Sequence, residues 1–257
     1  MKMSLKENLL ELLQKSSGEF LSGEKAAEIL GVSRTAVWKA VTALKKEGYN
    51  IESVTNRGYR LSADTDILSA CGINDYLGGQ AKNYDISVLG TVTSTNALIK
   101  AEAAQNAPEG RIIIAAEQTA GRGRFGRSFF SPTGSGLYIS ILLRPTLPVT
   151  AAVSVTAAAA AAVAEAVETV SGKKAGIKWV NDVLTDNKKV CGILTEAALD
   201  VESGALSYAV LGIGVNVYPP QGGFPEDIKN KAGALCNAKQ PGLKNRLAAE
   251  IITRFFR

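Results

Sequence analysis

Apolar positions recur at helical spacing from the start of the chain. Leu5, Leu9, Leu12 and Leu13 form one stripe, and Gly18 follows closely enough to end that helix. A second helix is predicted from the cap Ser22 through Ala26, Ala27, Ile29 and Leu30 to Gly31. Ser33 caps a third, which runs to Glu47 before Gly48. The short turn between the last two has the spacing of a helix-turn-helix unit. Val37, Val41 and Leu44 make the apolar stripe of the third helix, so Arg34, Thr35, Lys39 and Thr42 face elsewhere; Trp38 fits either an outer face or the core. The period then changes to alternation. Ile51, Val54, Tyr59 and Leu61 flank Asn56, Arg57 and Gly58, which predicts a two-stranded hairpin and makes residues 1–65 a winged helix-turn-helix domain. Asp64, Thr65 and Asp66 read as a short polar link into the second domain, residues 66–257.

In that second domain residues 111–116 read as a buried strand, residues 177–183 and 189–196 as strands joined by a polar tip at 185–188, and residues 211–217 as another apolar strand. The alanine-rich run from Val149 to Val167 has the length of a membrane span. Alanine is a strong helix former but weakly apolar, and Thr150, Ser154, Thr156 and Glu165 interrupt the run, so a packed internal helix is the better reading. Lys6, Glu7 and Glu11 break the apolar stretch that a signal peptide needs, which predicts a cytoplasmic protein with no membrane partner.

Composition narrows the chemistry. The 257 residues are 46% hydrophobic and 21% charged, the balance of an ordinary globular protein. Three scattered cysteines and no histidine remove zinc sites and Ser-His-Asp or Cys-His hydrolases, leaving Lys, Arg, carboxylates or bound metal to do any catalysis. The net charge is +5 at a pI of about 9.0. Residues 1–62 hold ten Lys and Arg against seven Asp and Glu, more than half of that excess. Ser33, Arg34, Thr35 and Lys39 at the start of the third helix, with Arg57 on the wing, suit DNA. The alternative is a winged helix used as a protein-protein module.

Gly121, Gly123 and Gly126 match GxGxxG, but Phe129, Phe130, Ser131 and Pro132 follow where a dinucleotide fold needs a helix, and no Gly-Lys-Ser/Thr completes a phosphate loop. Arg122, Arg124 and Arg127 lie within the glycine frame instead, offering planar donors to carboxylate or phosphate on a backbone that approaches a ligand closely. The strand-turn-strand pair brings Lys178, Asn181, Asp182 and Lys189 near one sheet end. Asn216 sits among small residues.

Together the helix-turn-helix, Ser94-Thr95-Asn96, residues 117–127, 178–182, 189–196 and 212–217 resemble, in order and over nearly the whole chain, the biotin-protein ligase and biotin operon repressor family. The resemblance implies an α+β chain, a winged helix-turn-helix followed by a mixed-sheet biotin/lipoate-ligase-like catalytic domain. It implies an AMP-forming biotin-[acetyl-CoA-carboxylase] ligase that uses biotin and ATP with Mg²⁺, transfers biotin to a lysine of biotin carboxyl carrier protein, binds operator DNA as a biotin-responsive repressor and forms a homodimer when liganded. Carried onto this sequence, Ser94, Thr95, Asn96, Gln118, Gly121, Arg122, Gly123, Arg124 and Lys189 would hold biotin, with Lys189 and Arg124 catalytic. Arg127, Phe129, Asn181 and Asn216 would face the nucleotide, and no residue is assigned as a metal ligand; Asp182 is the nearest carboxylate, as apt to pair with Lys178. Phe125, Val180 and Thr93 replace the family's common arginine, proline and aspartate. The family normally continues into a small C-terminal β-barrel after the apolar helix at 247–256, which raises the alternative of a truncated, ligand-sensing DNA-binding repressor with little carrier biotinylation.

Overall fold

The computed structural model describes residues 4–16, 18–46, 49–62, 66–145, 152–199 and 206–257, as two compact units. The first comprises the chain to Ile67 with residues 240–242; the second is Leu68–Lys239 with Leu243–Arg257. Glu47, Gly48, Asp64 and Thr65, where a helix end and a polar link are predicted, lie outside the described residues, as does the start of the alanine-rich run. Asp66, assigned to the same link, is buried.

In the first unit α1 (Leu5–Lys15), α2 (Gly23–Leu30) and α3 (Arg34–Lys46) enclose a core of Leu9, Leu10, Leu13, Ala26, Ala27, Val37, Ala40, Val41 and Leu44. The Ser22 hydroxyl accepts from the Lys25 N–H at 3.0 Å to start α2, and Gly31 ends it at φ 64°. The Ser33 hydroxyl accepts from the Ala36 N–H at 3.2 Å and so starts α3. Trp38 is 57% exposed, which settles it on the outer face of α3. Strands β1 (Ile51–Val54) and β2 (Gly58–Leu61) pair antiparallel, adding Ile51 and Leu61 to the core. Leu21 bridges Tyr59 through two backbone hydrogen bonds of 2.8 Å. That close approach fixes Gly58: its φ is +104°, and a Cβ there would strike the Leu21 carbonyl and the Ser22 Cα.

The second unit is a seven-stranded mixed sheet in the order β3 (Asp85–Val92), β4 (Arg111–Gln118), β5 (Gly136–Leu143), β9 (Leu206–Asn216), β8 (Lys188–Leu199), β7 (Asp182–Thr185), β6 (Gly176–Lys178). Only β3 and β4 run parallel, across the helix α5 (Thr95–Ala104). Alternation divides the central strands between two faces. Ile112 and Ile114, Leu137, Ile139 and Ile141, Leu211, Ile213 and Val215, and Ile193 join the main core, covered by α4 (Ala70–Leu77), α6 (Ala152–Ser171) and α7 (Leu243–Phe255). Ile113, Leu142 and Val210 turn the other way, into a small cluster with Ile99 and Ala103 of α5. The alanine-rich run becomes α6. Its Ala159, Ala160, Val163, Ala166 and Val167 form a buried helical stripe in the main core, where small side chains allow close packing on the sheet. Between β7 and β8, Asp186 and Asn187 take φ of 52° and 60°, the left-handed pair a two-residue hairpin turn requires.

Gly58→Ala is expected to destabilise the first unit by about 1–3 kcal/mol, because both φ and space forbid the methyl group. Gly18→Ala, at φ +82° with open space around it, should cost less, and thermal unfolding of the two variants beside the parent chain measures the difference.

Candidate active site

The sheet face that carries α5 is only half covered. Beyond the helix its pleat presents Gly212 and Gly214 of β9 and Gly192 and Leu194 of β8, and a cleft opens over them. Asn96 leaves no room for a side chain on Gly212, and the Phe129 ring leaves none on Gly214. These glycines let a side chain or a ligand lie directly on the strand backbone.

The floor is polar, and Thr95, Asn96 and Gln118 are hydrogen-bonded within it. Ser94, Thr95 and Asn96 start α5 and are buried. The Gln118 carbonyl accepts from the Thr95 N–H at 2.9 Å and from its hydroxyl at 3.1 Å, while the Gln118 amide donates to Ser131 Oγ at 3.1 Å. Ser131 in turn donates to the Phe129 carbonyl at 2.9 Å. Ser140, wholly buried on β5, lies 2.6 Å from Asn96 Oδ1 and 2.7 Å from Thr95 Oγ1. The Asn96 amide donates to Glu196 at 2.7 Å, and Glu196 also pairs with Lys100, one helical turn beyond Asn96. Each amide is thereby held in one orientation. Ser94 stands at the N-cap of α5 yet makes no capping bond with its side chain, and it lines the cleft.

The rim is cationic. Lys189 Nζ lies 2.7 Å from Asp182 Oδ1, which also accepts from the Asn181 amide at 3.0 Å. Arg124 donates to Asn181 Oδ1 at 3.0 Å and lies over the Phe125 ring at 5.0 Å. The glycine-arginine segment folds into a miniature hairpin: Gly123 N–H donates to the Arg127 carbonyl at 2.7 Å and Phe129 N–H to the Gly121 carbonyl at 2.9 Å. The Trp179–Val180 peptide is cis.

Burial alone would raise the Glu196 pKa. Hydrogen bonds from Lys100 and Asn96, with the charges of Lys100 and Arg122, outweigh it and hold the carboxyl below its ordinary value of 4.5. Burial pushes the Cys191 thiol up, only partly offset by Lys189, so this thiol stays protonated and unreactive under the cleft. The Tyr138 phenol is raised by burial too; its hydroxyl donates to the Pro132 carbonyl at 3.1 Å and its ring meets Phe129 edge-on, centroids 6.4 Å apart.

Ser94, Thr95, Asn96, Gln118, Arg122, Gly123, Arg124, Phe129, Asn181 and Lys189 thus converge on one cleft. Gly121 is buried behind it, where a Cβ would collide with the Phe129 carbonyl. Arg127 is exposed and Asn216 sits opposite Gly136, and neither lines the cleft. Asp182 is held by Lys189 and not by Lys178, which is exposed although it stands directly across from Asp182 in the β6–β7 pairing. Sequence reasoning missed Lys100, Ser131 and Ser140, and met Glu196 only as the end of a motif. Alternation along β8 puts Glu196 on the same face as Gly192 and Leu194, and Lys100 follows Asn96 by four residues; that much was readable.

The chain matches the family described as "Biotin/lipoate A/B protein ligase family" over residues 88–216, and an HTH domain over residues 6–60. It is 38% identical over 238 residues to the bifunctional ligase/repressor BirA of Bacillus spizizenii, covering 93% of this chain and 73% of that one. The chain belongs to the biotin/lipoate A/B protein ligase family. A biotin-[acetyl-CoA-carboxylase] ligase of Mycobacterium tuberculosis is 33% identical over 193 residues, 72% of this chain and 68% of that one. Among solved structures, a biotin protein ligase from Aquifex aeolicus in complex with biotin and ATP superposes with a TM-score of 0.55 at 30% identity, covering 67% of this chain and 68% of that one. The biotin/lipoate ligase match spans β3 to β9, the elements that build the cleft, and the HTH match spans the helices and wing of the first unit.

Glu196→Gln is expected to destabilise the chain at neutral pH by about 1–3 kcal/mol, since it leaves the Lys100 ammonium without its carboxylate. A depressed carboxyl pKa stabilises the folded state above the ordinary value and loses that contribution as pH falls through the folded one. The stability gap between parent and variant should therefore be constant above 4.5 and close below it, as followed by thermal unfolding across a pH series.

Proposed function

We propose that this enzyme is an AMP-forming biotin-[acetyl-CoA-carboxylase] ligase that is also a biotin-responsive transcriptional repressor. One observation carries the reading: two arginines and Lys189 converge on the same glycine-floored cleft as the polar row Ser94, Thr95, Asn96 and Gln118. Such a cleft offers hydrogen bonds to a neutral polar head at one end and positive charge to anions at the other.

The biotin carboxylate attacks the α-phosphate of ATP, the bond to the β-phosphate breaks, and biotinoyl-AMP and pyrophosphate form. A carboxylate is already ionised at neutral pH, so this step needs no general base and is compatible with a chain without histidine. What it needs is stabilisation of the negative charge that gathers on the phosphate oxygens. Lys189, aligned by Asp182, and Arg124, aligned by Asn181, supply it from fixed positions, so little reorganisation is required at the moment of reaction. Arg122 and the backbone at Gly123 lie over biotin, and Gly121 lets the loop turn tightly behind it. Ser94 and Gln118 with their neighbours orient the biotin head, and Phe129, lying on Gly192 and Gly214, offers a ring face to the adenine. Asn181 lies on the nucleotide side of the cleft; Arg127 and Asn216 would reach the nucleotide only after movement of the loop or strand end. In the second step the ε-amine of a lysine on biotin carboxyl carrier protein attacks the mixed anhydride, and AMP leaves.

Mg²⁺ accompanies ATP as substrate. Among the described residues no group of three acidic or thiol side chains gathers, and Asp182 is already paired with Lys189, so the chain offers no cage of its own for the ion and no step is assigned to it. Ser33, Arg34, Thr35, Lys39 and Arg57 face operator DNA; Ser33 also caps α3, and the Arg57 guanidinium stacks on Phe20 at 4.3 Å. Repression uses a liganded homodimer, two half-site readers for one palindromic operator, in a cytoplasmic protein.

Biotin-dependent exchange of pyrophosphate into ATP tests the adenylation site. The parent chain should exchange; Lys189→Ala and Arg124→Ala should each lower the rate by about a hundredfold or more. A parent chain that binds biotin but exchanges nothing would refute the ligase reading, and label transfer to purified carrier protein tests the second step.

A further inference from the structure

α3 carries Arg34, Lys39, Lys45 and Lys46 and not one acidic side chain. Among these cations stands Trp38, 57% exposed, the most exposed large apolar side chain described in its unit. It is no displaced core residue, for Val37, Ala40, Val41 and Leu44 fill the buried side of the helix. Helical spacing puts Arg34, Trp38 and Thr42 on one ridge and Thr35 with Lys39 on the next. The Thr42 hydroxyl donates to the Trp38 carbonyl at 2.9 Å, which ties that ridge together locally and leaves the indole uncovered. A large apolar ring on a cationic helix face gains free energy only when a partner covers it, and the surrounding charge selects a polyanion over an ordinary protein surface.

We propose that Trp38 is a base-reading residue of the helix-turn-helix unit, its indole packing against thymine 5-methyl groups in the major groove. The thymine methyl is the apolar feature of that groove, and side chains on the first half of a recognition helix reach base edges. Arg34 and Lys39 flank the ring and take the phosphates, which gives affinity without sequence preference; the indole adds preference for thymine. This inference rests on the DNA-binding reading of the first unit.

Duplexes are selected from a random pool by the full chain in the presence of biotin and ATP, and each shared thymine is then replaced by uracil, which lacks only the methyl group. The chain has two tryptophans, so in a Trp179→Phe background the indole emission reports Trp38 alone. At one or more thymines, uracil should weaken binding about fourfold, the value of one buried methyl. Trp38→Ala should weaken the thymine duplex about tenfold and bind thymine and uracil duplexes alike. Lys39→Ala should weaken both equally and flatten the salt dependence. Duplexes that bind without changing Trp38 emission, or parent-chain affinities that ignore the methyl groups, overturn the proposal while leaving DNA binding intact. A selection that enriches nothing overturns the DNA-binding reading itself, and this inference with it.

Discussion

A sheet buried on both faces must find apolar cover for every strand, and here one face runs short of it. The main core receives α4, α6 and α7, whereas among the described residues the opposite face has α5 alone. Where α5 ends, the chain places glycines on the strands and a row of polar side chains above them. An uncovered apolar strand would invite another chain; a glycine floor under paired polar groups instead makes a cleft. The cleft is therefore a consequence of how many helices the sheet possesses and where the α5 N-terminus falls, and the arginine loop and the β7–β8 hairpin are arranged around that vacancy.

Charge is then divided between floor and rim. Glu196 and Lys100 neutralise each other at the inner end, and Asn96 spends its amide on Glu196, so the inner end presents neutral donors and acceptors. At the outer end Asp182 accepts both Lys189 and Asn181, yet Arg122 and Arg124 keep the region electropositive. The single carboxylate there aligns a cation without cancelling the field, which suits a reaction whose charge accumulates at phosphate. The same fixed placements are what the proposed chemistry draws on in a chain with no histidine.

Much of this is legible in the amino-acid sequence. Caps at Ser22 and Ser33, the left-handed stop at Gly31 and the change of period after residue 50 mark the helix-turn-helix and wing, because each is a local constraint written in neighbouring residues. The glycine-arginine loop, Asn181 and Lys189 were found by composition and order. What stayed hidden depends on distance along the chain: Ser140 meets Asn96 across 44 positions, and Glu196 meets Asn96 across 100. The pairing of Asp182 with Lys189 in preference to Lys178 follows from a register shift between Val183 and Leu184, which no periodicity announces. The family resemblance sets Asn216 on the nucleotide side, whereas it falls opposite Gly136 at the strand end, outside the lining of the cleft. Trp38 was ambiguous for a different reason: a single aromatic at the edge of a stripe fits either side until the rest of the core is seen to be full.

The tight turn at Asp186 and Asn187 sets more than a hairpin. Lys189 stands two residues beyond it, so turn length decides which way the lysine points. Adding one residue to that turn shifts the register by one and carries each side chain of the strand to the other face. The ammonium would then be turned toward the main core on the other side of the sheet, and the cleft would lose the cation that Asp182 holds at its rim with every residue of the cleft still present in the sequence. The rim lysine is therefore addressed by counting backbone positions from a left-handed pair, and insertions at this exposed tip, ordinarily the most tolerated of changes, should be among the least tolerated here.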